Sequence, residues 1–168
     1  MGMEAGSPKR YNSIQGSDEA PIVCAAFESC EVIEPMKKGG ILNPAICSLL
    51  AELGHMDELL IVDAGYPLPP DGHVIDLTLT PGIPRFLDVL RAVAEELVME
   101  AVTVASEISE SSPSSKLYQE ILKIVGDIDV DEVPHHEFKE QSMGVKGIIR
   151  TAEFTPYANI RILCGCAY

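Results

Sequence analysis

The feature that most constrains the fold of this chain is an unbroken run of four large aliphatic residues, Leu59-Leu60-Ile61-Val62, set between a punctuated amphipathic segment and a Gly/Pro-rich loop. A strand with one wet face alternates apolar and polar side chains, whereas a continuous apolar run of this length belongs to a strand covered on both faces. The segment before it reads as a helix. Asn43 stands at the N-cap and Pro44 at the first helical position, while Ile46, Leu49, Leu50 and Leu53 share one stripe; Gly54 is the expected left-handed terminator. Asp63 closes the apolar run and is therefore expected at the carboxyl end of a strand.

The alternation continues along the chain. Residues 74–79 read as a strand, 84–98 as a helix with Phe86, Leu90, Val93 and Leu97 on one face, and 101–105 as a strand. Ser112-Pro113 restarts a helix that runs through Ile121, Leu122 and Val125 to a stop at Gly126, and residues 128–133 read as a strand with acidic alternation. A short helix around Phe138, a strand over 147–151 and a last strand over 159–167 complete the series. Strands alternating with helices predict an α/β, Rossmann-like, three-layer fold: a largely parallel central sheet, helices on both faces, and ligand bound beyond the carboxyl ends of the strands. Residues 1–35 show no sustained period and one short apolar patch, at residues 22–27. They are expected to be a mostly disordered extension ahead of a single domain over residues 36–168.

Charge narrows the partners. Twelve Lys and Arg against 26 Asp and Glu give a formal charge of −14, and the first 35 residues hold only two of the basic and six of the acidic residues. A field of that sign repels nucleic acid and anionic lipid, and no Lys/Arg cluster offers a phosphate pocket. That disfavours phosphorylated substrates and leaves neutral small molecules open, although one local Arg or a helix N-terminus could still hold an anion. No apolar run approaches the roughly 18 residues of a membrane-spanning helix, so no membrane partner is expected. Five cysteines at irregular spacing (Cys24, Cys30, Cys47, Cys164, Cys166), without a C-x-x-C or a signal-peptide pattern, read as reduced thiols of a cytoplasmic protein. Cys164 and Cys166 lie two apart in a strand-like run and are expected to be buried together, with no metal or redox role.

No nucleotide-binding loop, nucleophile elbow or zincin motif occurs. The residues left to carry chemistry are His55, Asp63, His135 and the turn Tyr157-Ala158-Asn159. His55 follows a helix end, where a histidine also serves as a cap, but an imidazole can both give and take a proton near neutrality. Asp63 doubles as a turn-former before Gly65. His135 and His136 precede a helix and point in different directions, which makes them a poor metal pair. The turn offers backbone polar groups and the Asn159 amide, which both donates and accepts, a set able to grip several hydroxyls.

Ordered pieces along the chain carry a more specific signal: Gly54-His55-x-Asp57, Asp63-Ala64-Gly65-x-Pro67-x-Pro69, Ile75-Asp76-x-x-Leu79-Thr80, Gly82-x-Pro84-x-Phe86 and Pro156-Tyr157-Ala158-Asn159-Ile160. In this order and spacing they resemble the ribose pyranase and L-fucose mutarotase family, over residues 36–168. Family members begin near the Met-Lys-Lys motif found here at Met36, so residues 1–35 are either specific to this chain or the product of an upstream start. The segment Gly65-Tyr66-Pro67-Leu68-Pro69 matches the ribose type better than the aromatic-rich segment of the fucose group.

The resemblance implies interconversion of the pyranose and furanose forms of D-ribose, an isomerase reaction that needs no cofactor or metal. It implies His55 as proton donor, and Asp63, His135, Tyr157, Ala158 and Asn159 as sugar contacts, His135 aligning with the family's second histidine. It also implies ring-shaped homodecamers. The residues agree on one point: an extended strand between His55 and Asp63 separates them by well over 10 Å, at about 3.3 Å per residue. One site using both is expected at a subunit interface. The competing expectations are an L-fucose or other monosaccharide mutarotase, a non-catalytic ribose-binding, transport-associated protein, and a structural module that binds no sugar.

Overall fold

A computed structural model describes residues 37–110 and 112–167. The expected disorder of residues 1–35, with Cys24 and Cys30, lies outside the described residues. Helix α1 (Pro44–Glu52) begins as its sequence dictates: Asn43 is extended and its Oδ1 accepts the N–H groups of Ala45 and Ile46 at 2.9 and 3.3 Å. Its end corrects the sequence reading. Leu53 is already extended, and the left-handed residue is Met56 (φ 69°), not Gly54. The chain reverses through a turn closed by Asp57, whose carboxylate accepts the Gly54 N–H at 2.7 Å and whose own N–H donates to the Gly54 carbonyl at 3.1 Å. No glycine cap is needed once a side chain satisfies the backbone there.

Strand β1 (Glu58–Val62) follows, with Leu59, Leu60, Ile61 and Val62 all fully buried. Strand β2 (Val74–Asp76) is shorter than the expected 74–79 because Asp76 accepts the backbone N–H and hydroxyl of Thr78 at 2.9 and 2.7 Å and turns the chain out of the sheet. Helix α2 (Phe86–Ala94) occupies the middle of the expected 84–98 and buries Phe86, Leu90 and Val93 completely. Strand β3 (Met99–Ala105) starts two residues early; the single-turn helix α3 (Glu107–Glu110) was not anticipated. Helix α4 (Ser114–Val125) stops at left-handed Gly126 (φ 65°) as expected, and β4 (Asp129–Val133), α5 (His135–Gln141), β5 (Gly147–Arg150) and β6 (Ile160–Cys164) complete the order.

The six strands form one sheet in the order β2-β5-β1-β6-β3-β4. Five run parallel, and β6 lies antiparallel between β1 and β3, in register Ile61 with Ile160 on one side and Val104 with Ile160 on the other. The connection from β5 to β6, residues 151–159, is shorter than the dozen or so residues a parallel crossover requires. An antiparallel sixth strand is the outcome that this length permits.

Helices cover the two faces unequally. Helices α1 to α4 pack their apolar sides onto one face around Leu59, Ile61, Val102, Val104 and Ile162, whereas Leu60, Val62 and Ile148 on the other face meet Phe138 of α5 and Tyr66 of the loop after β1. Each fully buried Leu, Ile or Phe contributes about 1.5–3 kcal/mol of transfer free energy, so the central strands hold the sheet together. The edge strand β4 keeps Asp129, Asp131 and Glu132 exposed, a charge pattern that discourages edge-to-edge pairing. Cys164 is buried, with its thiol pushed up to about 11 by that burial, whereas Cys166 lies past the end of β6 and is half-buried; the expected buried pair is one buried thiol. Among the described residues no helix is long and apolar enough to cross a membrane, and no three His, Cys, Asp or Glu side chains converge as a metal-binding group.

Candidate functional site

The carboxyl ends of the parallel strands bring together residues far apart in sequence. Asp63 leaves the end of β1 beside Asn159, which precedes β6, and the Asn159 side chain takes over where the β1/β6 ladder stops. Its Oδ1 accepts the Asp63 N–H at 3.0 Å and its Nδ2 donates to Asp63 Oδ2 at 2.9 Å. The other carboxylate oxygen accepts the Gly65 N–H at 2.8 Å. Asn159 is 1% exposed, so this two-point clamp is sealed from competing water. Its amide oxygen accepts one bond from Asp63 and one amide N–H remains for a ligand, while the carboxylate keeps unused lone pairs for a hydroxyl donor.

His135 opens α5 after β4 and faces the same cluster. Its ring meets Tyr157 edge-on at 5.1 Å between centroids and stacks with Phe138 at 6.4 Å. The backbone N–H of His135 donates to both carboxylate oxygens of Glu107, at 3.1 and 2.9 Å, which ties α5 to α3. Burial pushes the imidazole below its ordinary pKa, and Lys139 pushes the same way, while Glu107 and Asp63 oppose them. The ring is thus favoured in its neutral form, with a buried Nδ1 that has no hydrogen-bond partner among the described residues. An unpartnered buried polar atom beside a carboxylate is suited to a hydroxyl-bearing ligand. His136 points outward, with 74% of its side chain exposed.

Tyr157 adopts a left-handed backbone (φ 63°), and the turn closes on itself through Asn159 N–H to the Tyr157 carbonyl at 2.8 Å. Ala158 within it is fully buried. Ser114 at the start of α4 donates its hydroxyl to the Pro156 carbonyl at 2.8 Å, fixing the turn from outside. A cleft of about 200 Å³ opens beside the cluster, lined by Asp63, Ala64, Gly65, Glu153, Phe154, Thr155 and Pro156.

His55 is not part of this cluster. It lies before β1, at the amino ends of the parallel strands, on the exposed Gly54–Asp57 turn, with Nε2 3.0 Å from Glu100 Oε2. The five residues of β1 place it about 16 Å or more from Asp63 along the strand. Within one chain, the two residues cannot touch the same small ligand.

Several supporting residues were invisible to sequence reasoning. Arg150 at the end of β5 donates to the Ala64 carbonyl from Nε at 3.2 Å and also from Nη2, and reaches Asp76 at 3.2 Å, so it braces the loop carrying Asp63. Glu153 accepts the N–H groups of Phe154 and Thr155 and the Thr155 hydroxyl, at 3.0, 3.0 and 2.8 Å. Glu107 anchors His135. None of the three stands in a local motif, because each acts on a partner brought near only by the sheet or on the backbone of an irregular loop.

With this geometry in place, residues 36–167 match the family described as the RbsD / FucU transport protein family. A D-ribose pyranase of Geobacillus kaustophilus is 46% identical over 133 residues, covering 79% of this chain and 96% of that protein; one from Thermotoga maritima is 42% identical over 137 residues and is covered completely. Among solved structures, Bacillus subtilis RbsD complexed with D-ribose superposes with a TM-score of 0.75 at 40% identity, over 79% of this chain and 100% of that one. The fucose mutarotase of Streptococcus pneumoniae, at 20% identity and a TM-score of 0.61 over 75% of this chain and 94% of its own, shares the fold. The chain belongs to the RbsD / FucU transport protein family.

Proposed function

We propose that the protein is a D-ribose pyranase, an isomerase that interconverts the β-pyranose and β-furanose forms of D-ribose, and that its working domain spans residues 36–168. The observation that carries this reading is its 40% identity, over the whole length of the relative, to an RbsD complexed with D-ribose. The site's chemistry agrees. Ring opening needs a proton delivered to the ring oxygen as its bond to C1 breaks, while the C1 hydroxyl releases a proton to water and becomes the aldehyde. After rotation, the C4 hydroxyl closes on C1 by the same steps reversed. A positioned acid or base supplies roughly 10²–10⁴-fold, which suits a reaction that already runs in water.

In this reading His55 is the proton donor and Asp63 orients a sugar hydroxyl, while His135, Tyr157, Ala158 and Asn159 complete the sugar contacts. Because His55 and Asp63 stand at opposite ends of the sheet, the reading requires a second copy of the chain to bring its His55 to this chain's Asp63. A cytoplasmic homodecamer with sites at its interfaces meets that requirement, and no cofactor is called for.

Saturation-transfer NMR on D-ribose, with catalytic amounts of protein, tests the activity directly through exchange between the β-pyranose and β-furanose anomeric signals. Accelerated exchange is expected for ribose. Acceleration for L-fucose alone would assign the chain to the mutarotase group, and binding of ribose without acceleration would make it a transport-associated binding protein. Light scattering on the same sample reads the assembly; a monomer that still accelerates exchange would overturn the interface site.

A further inference from the structure

We propose that Glu100 is the positioning residue of His55: its carboxylate holds the Nε2–H and leaves Nδ1 as the nitrogen that exchanges a proton with the sugar. This rests on the reading of His55 as the proton donor. The backbone builds the pair from both sides. Strand β3 pairs Met99 with Cys164 and then Ala101 with Leu163, so Glu100 is the extra residue of a bulge. A bulge takes a residue out of the ladder and re-aims its side chain. Here the re-aimed carboxylate reaches His55 Nε2 at 3.0 Å.

The chain just beyond β6 is shaped to hold that bulge. Gly165 donates its N–H to the Val98 carbonyl at 2.9 Å, and a Cβ at Gly165 would lie 3.2 Å from Val98 Cγ1 and 3.4 Å from Glu100 Cβ. A side chain there would crowd the bulge. The His55 turn is tied to the same strand: Met56 N–H donates to the Cys164 carbonyl at 3.0 Å, and Cys164 N–H to the Asp57 carbonyl at 2.9 Å. The Asp57 carboxylate, gripping the Gly54 N–H, also pairs with Lys146 at 2.8 Å. Histidine and glutamate are therefore two projections from one braced corner.

A carboxylate only accepts, so the nitrogen facing it must be the donor. Glu100 thereby fixes the neutral ring as the Nε2–H tautomer and holds its plane, the role a third group plays in orienting an acid/base imidazole. Nδ1 makes no hydrogen bond among the described residues. When protonated, it gives its proton to the sugar ring oxygen; when neutral, it takes one back on reclosure.

The test uses the full chain and its His55→Ala, Glu100→Ala, Glu100→Gln and His55→Ala/Glu100→Ala variants. Ribose exchange is measured by saturation transfer, and the His55 tautomer by long-range ¹H–¹⁵N correlation. Glu100→Ala is expected to lower turnover by roughly tenfold or more, as loss of the carboxylate that orients an acid/base imidazole does, with KM unchanged and the tautomer mixed. Glu100→Gln, which keeps an acceptor oxygen, recovers part of both. The double variant matches His55→Ala alone. Thermal unfolding should barely move, because both side chains are half-exposed. Lost exchange in His55→Ala with parental turnover and tautomer in Glu100→Ala would remove Glu100 and leave His55 standing. Parental exchange in His55→Ala would remove the reading of His55, and the assignment of Glu100 with it.

Discussion

The two ends of the sheet hold functional candidates in opposite ways. At the carboxyl ends, Asp63 is gripped at three points, two of them by buried Asn159, and His135 is held through its backbone N–H and by ring contacts with Phe138 and Tyr157. At the amino ends, His55 stands half-exposed on a turn with one side-chain partner. The first end is built into the folding core; the second is rigid in its backbone and open in its side chain. A binding surface that must recognise several hydroxyls at once gains from the first arrangement. In the proposed reading, His55 gives its proton to a sugar held by another chain, and that role needs the second.

The largest effect expected from breaking this contrast comes at Asn159. Asn159→Ala strips the Asp63 N–H and one of its carboxylate oxygens of their buried partner and leaves only the Gly65 N–H on the other oxygen, at a cost of about 1–3 kcal/mol. Urea unfolding should show that loss together with a raised KM for ribose. His55→Ala, an exposed substitution, should stay within about 0.5 kcal/mol of the parent while exchange collapses. Equal destabilisation by the two variants would erase the distinction between the ends.

How much of this was legible follows the range of the interactions. The Asn43 cap, the buried run of β1 and the Gly126 stop depend on neighbours within a few residues, and the sequence announces them. The antiparallel setting of β6 was legible only in the shortness of residues 151–159. The Asp63–Asn159 clamp spans 96 residues and the His55–Glu100 pair 45, so no periodicity or local motif could reveal either. Asn159, expected to grip sugar hydroxyls, also holds Asp63 through its amide, a duty that the local sequence does not announce. Even the turn was misread at Gly54, because a side chain from Asp57 did the work a glycine usually does.

A smaller effect separates the ends by pH. Burial keeps the folded-state pKa of His135 below its unfolded value of about 6.5. The folded protein therefore binds this proton less readily than the unfolded chain, and the associated stability is fully present above that value and lost as pH falls through the lower, folded-state pKa. Asp76, Glu107 and Glu153 are all held below their ordinary pKa against the opposing effect of burial, by hydrogen bonds in each case and also by the charges of Arg150 on Asp76 and His135 on Glu107, and lose theirs only at more acid pH. Urea midpoints from pH 8 downward should show both phases in the parent. His135→Phe should flatten the first and spare the second; a curve unchanged by that substitution would mean the ring is not buried in solution.

The smallest effect is expected at Met56, where the amino-end turn carries its one left-handed residue (φ 69°). Asp57 N–H to Gly54 carbonyl makes Met56 the third residue of a four-residue turn, the position where glycine is favoured. Met56→Gly relieves about 1–2 kcal/mol of backbone strain, but the freer unfolded chain takes back about 0.5–1 kcal/mol. The net is a stabilisation of about 0.5–1 kcal/mol, so the unfolding midpoint should rise only slightly. What should change is the corner that aims His55: a more pliable turn lowers ribose turnover modestly and leaves KM in place, since the end proposed to bind sugar is untouched. A rise in KM instead would mean that the Met56 turn touches bound sugar, and the division of labour between the two ends would have to be redrawn.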